Sequence, residues 1–160
     1  MGLLIISAII QLSIGIYVMI QGRRHKNVWF SCFAIAASVY SLGYAFELTA
    51  QSVNEALAYL RIEYLGIAFL PTFGILMSLE FTGNYWRISR RAVIAMLAFS
   101  ALTLTVMYTT NLHHLYYANL SLANAGGLTI TQITRGPWYM VSMVYTVWPL
   151  PSAWLWSPGQ

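Results

Sequence analysis

Residues 2–22 read GLLIISAIIQLSIGIYVMIQG, a run without a single Asp, Glu, Lys or Arg. Its apolar centre, Leu3–Ile20, makes a helix about 27 Å long, close to the hydrocarbon thickness of a bilayer. A secretory signal peptide carries positive charge before its apolar core and small residues at a cleavage site. Here Arg23, Arg24 and Lys26 come after the core, and Ile20-Gln21-Gly22 is a poor cleavage site. The segment therefore reads as an uncleaved first span. Met1-Gly2 opens no myristoylation motif, because position 6 is Ile rather than Ser or Thr.

Three more charge-free blocks follow, Val28–Phe46, Tyr64–Leu79 and Ala92–Asn111. Of the 160 residues 59% are hydrophobic and 8% charged, with no Asp, and the mean hydropathy is +0.65. An ordinary globular chain is about 25% charged, so the few charges here cannot cover a soluble surface. Disorder is excluded by the hydrophobicity, and a disulfide scaffold by the single Cys32. The net charge of +4 is confined to short loops and span ends and is no nucleic-acid footprint.

Span 2 is expected over about Val28–Leu48. Span 3 begins at Ser52-Val53-Asn54-Glu55, a capping box with Ser52 as N-cap and Glu55 reaching back to its amide. A helix from Val53 to Thr82 would be about 45 Å long, so its first turns stand outside the hydrocarbon. Pro71 removes the bond to Ile67 and kinks it. Span 4 is expected over about Ala92–Thr110, and span 5 from Pro137, a good first-turn residue, to about Trp156. Between them, Leu120-Ser121-Leu122 and Leu128-Thr129-Ile130-Thr131 flank the Gly-rich turn Asn124–Gly127, the pattern of a β-hairpin. The expected fold is an all-α membrane protein of about five transmembrane helices with a small extracellular β-hairpin between spans 4 and 5. Residues 1–147 form one multi-pass region, and 148–160 a divergent tail.

Arg23, Arg24, Lys26, Arg87, Arg90 and Arg91 lie on one side of the membrane, and only Arg61 and Arg135 on the other. The positive-inside rule puts the six in the cytoplasm and the N-terminus outside the cell membrane. The bilayer and its headgroups account for these charges with no other partner.

Little intramembrane chemistry is on offer. The only Lys, Lys26, lies in a loop, which excludes a retinal Schiff base. His25, His113 and His114 fall at span ends, which argues against membrane haem and intramembrane serine proteolysis. There is no Walker loop, HExxH motif or cysteine cluster. No cofactor or metal is expected, and no enzymatic activity. Glu47 closes span 2, Glu63 follows on span 3, and Arg61 supplies a positive partner, either as an interfacial ion pair or as the floor of an outward-facing pocket. Glu80 is expected to pair with Arg87 or with Arg23 and Arg24. His113 or His114, with Tyr116 and Trp138, would line the pocket wall; an interfacial belt of polar and aromatic residues explains the same positions with no ligand.

The order Arg61-Ile62-Glu63-Tyr64-Leu65-Gly66-Ile67, Pro71, Glu80-Phe81-Thr82-Gly83, Thr110-Asn111 with His113-His114-Leu115, and Gly136-Pro137-Trp138-Tyr139 with Tyr145 resembles the N-terminal seven-helix membrane region of bacterial and archaeal sensor histidine kinases. The resemblance covers residues 1–147. It implies a membrane-embedded, signal-sensing input module of a two-component sensor kinase, followed in the family by cytoplasmic PAS, kinase or diguanylate cyclase modules. The signal would be extracellular or membrane-borne, and the partner a second copy or a kinase subunit. The family's Asn-x-x-His spacing selects His114, while the following Leu-aromatic-aromatic run selects His113. The chain departs from the family after Tyr145, where Trp148-Pro149-Leu150-Pro151 breaks the expected span. The tail reads as truncated and without kinase catalytic residues. The competing readings are a small membrane carrier or channel, and an assembly partner of another membrane protein.

Overall fold

The structure, a computed structural model, describes residues 2–21, 28–83, 88–110, 115–125 and 128–147. Its elements in chain order are α1 (Gly2–Gln21), α2 (Val28–Glu47), α3 (Val53–Ile67), α4 (Leu70–Phe81), α5 (Arg90–Tyr108), β1 (Tyr117–Ala125), β2 (Leu128–Arg135) and α6 (Pro137–Val147). Among the described residues four helical segments are long and apolar enough to cross a membrane: α1, α2, the unit Val53–Phe81 formed by α3 and α4, and α5. The part of span 5 expected beyond Val147 lies outside the described residues, as do Arg23, Arg24, Lys26 and Arg87.

The third span differs from a single kinked helix. Its start is capped by Ser52, whose hydroxyl accepts the Glu55 amide at 3.3 Å. The Glu55 carboxylate in turn accepts the Gln51 amide at 2.9 Å, one residue earlier than a capping box places it. The helix then ends at Ile67 and restarts at Leu70. Across the break, the Phe69 amide tightens onto the Gly66 carbonyl at 3.1 Å. Pro71 sits in the first turn of α4, where its missing N–H costs nothing and its ring no longer meets a helical carbonyl behind it. Proline here divides the span into two helices rather than bending one.

The packing is that of a chain in lipid. Large apolar side chains point outward, among them Ile6, Ile9, Tyr17, Ile94, Leu102 and Val144. Apart from Glu47 at its end, the buried residues of α2 are small: Ser31, Ala34, Ala36, Ser38, Ser41, Gly43 and Ala45. Lipid tails are as apolar as leucine, so helices associate through close backbone approach and interhelical hydrogen bonds rather than through apolar burial. α2 is the central strut, contacted by α1 and by α3 and α4. Ser38 Oγ donates to the Ala8 carbonyl at 2.8 Å and ties α2 to α1. A methyl group on Gly43 would sit 2.6 Å from the Glu63 Cα and N, and one on Gly66 would run into the Ala36 carbonyl and come 2.8 Å from the Tyr40 N. Two glycines, one on each helix, thus set the α2–α3 crossing. The Thr72 hydroxyl pairs with Ser100 Oγ at 2.7 Å and with the Tyr145 hydroxyl at 2.8 Å, joining α4, α5 and α6.

β1 and β2 pair antiparallel, Leu120 opposite Ile133 and Ala125 opposite Leu128, with an irregularity between Tyr117 and Asn119. The entry to α6 is stitched back onto the entry to β1: the Gly136 amide donates to the Tyr116 carbonyl at 2.8 Å and the Trp138 amide to the Leu115 carbonyl at 3.1 Å. This places the start of α6 beside Tyr116 and Tyr117.

Candidate functional site

The end of α2, the second half of α3, the end of α5, the start of β1 and the start of α6 come together in the bundle. Glu47 and Glu63 lie there, 8% and 6% exposed. The close crossing at Gly43 brings α3 against the last turn of α2, which makes Glu63 and Glu47 near neighbours. Glu63 Oε2 is buried and has no partner among the described residues.

Arg61 does not join the two acids. Its guanidinium lies over the Tyr108 ring, 5.9 Å from the centroid, and the Tyr108 hydroxyl donates to the Arg61 carbonyl at 3.0 Å. Helical geometry explains the separation, since positions two apart on a helix point about 200° from each other. Glu47 and Glu63 therefore lie together without Arg61, which fastens α3 to α5.

Beside the acids stands a tyrosine cluster. The Tyr117 hydroxyl donates to the Tyr64 hydroxyl at 2.6 Å, and both residues are buried. The Tyr64, Tyr116 and Tyr117 rings meet edge to face, with centroids 5.0 to 6.0 Å apart. Such pairs place the positive edge of one ring on the negative face of the next. Tyr116 also meets Tyr139 edge to face at 5.8 Å. Leu60 and Met107 complete this buried core. Burial holds the phenols of Tyr116 and Tyr117 above the usual tyrosine range, so both stay protonated at any physiological pH. Trp138 packs against the cluster and stacks on Phe99 at 6.2 Å, and its indole N–H is buried with no partner among the described residues.

The structure thus gathers Glu47 and Glu63 at one point and packs Tyr116 with Trp138, while Arg61 turns to Tyr108. His113 and His114 lie outside the described residues, as do Arg23, Arg24 and Arg87, the partners expected for Glu80. Sequence reasoning passed over Tyr64 and Tyr117 as site residues. The adjacency Glu63-Tyr64 was a usable signal: neighbours on a helix diverge by about 100°, so an acid buried against α2 turns the next side chain toward α5 and β1.

The sequence model of the family described as the N-terminal 7TM region of histidine kinase matches residues 3–153. No curated protein and no solved structure matches the chain significantly.

Proposed function

The chain belongs to the family of N-terminal seven-transmembrane regions of histidine kinases, and from that premise we propose that it is the membrane-embedded, signal-sensing input module of a two-component sensor kinase. The single observation that carries this reading is that the match runs through every described helix. The region is non-catalytic, and any kinase output would come from a module coupled to it. We place it in the cell membrane with the N-terminus outside, on the six-to-two bias of basic residues. In that orientation the β1–β2 hairpin lies on the outer face. Residues 1–147 form the sensing region, and the signal is read at the outer end by Glu47, Glu63, Tyr116 and Trp138, with His113 or His114 completing the wall and Arg61 holding α3 in place.

A carrier or channel would need polar groups free to line a path. The hydroxyls of Ser13, Ser38, Ser78, Thr105 and Thr146 are instead spent on backbone carbonyls. The test is a chimera in which residues 1–147 replace the equivalent part of a complete family member. Glu63→Gln keeps the shape and removes the acid; Glu63→Ala, His113→Ala and His114→Ala remove contacts. The expected result is an inserted chimera whose autophosphorylation responds to signal, with Glu63→Gln milder than Glu63→Ala. An unchanged response in all four variants would leave the interfacial belt as the account of these residues.

A further inference from the structure

Glu63 is 6% exposed, and its Oε2 atom is shut off from the surroundings with no partner among the described residues. A buried carboxylate is costly unless a cation or hydrogen-bond donors meet it. The packing around it sharpens the problem. Gly43 seats against the Glu63 backbone, while Ala36 and Tyr40 meet Gly66, so α2 and α3 run antiparallel. Glu47 follows Gly43 by about one helical turn on the same face of α2. Cα–Cβ bonds lean toward the N-terminus of their own helix, so in this antiparallel pair Glu47 leans toward Glu63 and Glu63 toward Glu47. A second acid, 8% exposed, thus stands where a counter-charge is needed.

Three things could balance the two acids: a cationic side chain, a metal ion or a proton. Arg61 lies over the Tyr108 ring, and Arg90 and Arg91 begin α5, at its far end from Tyr108. The other described titratable groups around the acids are phenols: Tyr40 and Tyr44 of α2, Tyr64 of α3 itself and Tyr117 of β1. The Tyr117 hydroxyl donates to Tyr64 rather than to a carboxylate. A hard metal ion takes about six oxygen ligands. Among the described residues no third His, Cys, Asp or Glu joins the two acids, and Glu63 Oε2 has no open side for an ion to approach. A proton needs no room. It removes one of two like charges, and it turns a group that only accepts hydrogen bonds into one that also donates.

We propose that Glu63 is a proton-binding site, holding a proton beside its neighbour Glu47 and exchanging it with water at the turn between α2 and α3. Release of the proton leaves two like charges across a crossing whose backbones already touch at Gly43, so the change bears directly on the α2–α3 contact. That the proton is a sensed signal rests on the sensor reading; that Glu63 holds it does not.

The experiment is infrared difference spectroscopy of the full 160-residue chain in zwitterionic lipid nanodiscs, stepped through pH in H₂O and D₂O, with empty discs to subtract the lipid ester band. The chain has four Glu and no Asp, so the C=O band of a protonated side-chain carboxyl is assignable by substitution. At neutral pH the wild type should show such a band, shifted in D₂O and indifferent to added Mg²⁺. Glu63→Gln should remove it; Glu55→Gln and Glu80→Gln should not. Glu47→Gln takes away the neighbouring charge, so the band should be lost at roughly ten-fold higher proton concentration than in the wild type, about one pH unit lower. Helical circular dichroism reports which variants are folded, and if Glu63→Gln is not, Glu47→Gln carries the test. No band in the wild type overturns the proposal and means that a cation, such as His113 or His114, meets the pair. So does a band that survives in folded Glu63→Gln, that Glu55→Gln, Glu80→Gln or Mg²⁺ abolishes, or that titrates unchanged in folded Glu47→Gln. Failure here leaves the sensor reading to the kinase chimera, and a silent chimera leaves the band untouched, because neither measurement uses the other.

Discussion

Replacing Gly43 by Ala puts one methyl group into the α2–α3 crossing. The new carbon would lie 2.6 Å from Glu63 Cα and N, against 3.4 Å for the start of ordinary contact, so the helices must part by at least about 0.8 Å there. The obstructing atoms are backbone, which cannot rotate aside. Overpacking of this kind costs typically about 1–3 kcal/mol, and alanine returns about 1 kcal/mol of helix propensity relative to glycine. The net expectation is a loss of up to about 2 kcal/mol, or up to roughly 30-fold in the folded-to-unfolded ratio. Gly74→Ala is the internal control. Its nearest atom would be Phe33 Cε2 at 3.5 Å, an ordinary contact on a side chain, so only the propensity gain remains and stability should hold or rise. The assay is reversible unfolding of the reconstituted chain in mixed micelles, titrated with SDS and followed by helical circular dichroism. Gly43→Ala should lower the midpoint and Gly74→Ala should not. A midpoint for Gly43→Ala at or above that of Gly74→Ala would refute the claim that the crossing is set by backbone contact at glycine.

Gly66→Ala presses on the same crossing, against Ala36 and Tyr40; combined with Gly43→Ala in the SDS titration it should cost less than the sum of the two, because the helices have already parted. Tyr64→Phe and Tyr117→Phe each break the 2.6 Å hydroxyl contact and should each lose about 1 kcal/mol, with the double variant little worse than either single; full additivity in a double-mutant cycle would contradict that contact. Ser38→Ala removes the bond to the Ala8 carbonyl and should lower stability by about 0.6 kcal/mol, read as weaker α1–α2 association when the two segments are expressed separately. Reporter fusions at positions 25 and 88 should both report cytoplasm; a periplasmic signal at either reverses the orientation.

Much of the candidate site was out of reach of the chain read as a string. Glu47 and Glu63 are separable in sequence only as acids at span ends, and Arg61 seemed the natural partner because it stands between them. Whether those charges meet depends on the rotation of α3 about its axis, and that rotation is set by Gly43 of α2 and Gly66 of α3 seating the two helices against each other. The tyrosine cluster draws Tyr64 from α3 and Tyr116 and Tyr117 from the entry to β1, residues more than fifty positions apart, so no local pattern announces it.

What the sequence determined by itself rests on solvent and on single-residue stereochemistry. Charge-free runs of about twenty residues partition into lipid wherever they occur, so the spans, the membrane class and the family could be read from composition and motif order. A proline in the interior of a helical run lacks the N–H that the run needs, so the disturbance at Pro71 was legible, although its outcome as two helices was not. Only the tertiary structure decided which faces meet. In lipid the apolar stripe that orients a water-soluble helix loses its meaning, because the outward side is apolar too. Orientation falls instead to small residues and paired hydroxyls, whose partners lie on other helices: Gly43 against Glu63, Ser38 against Ala8, Thr72 against Ser100 and Tyr145.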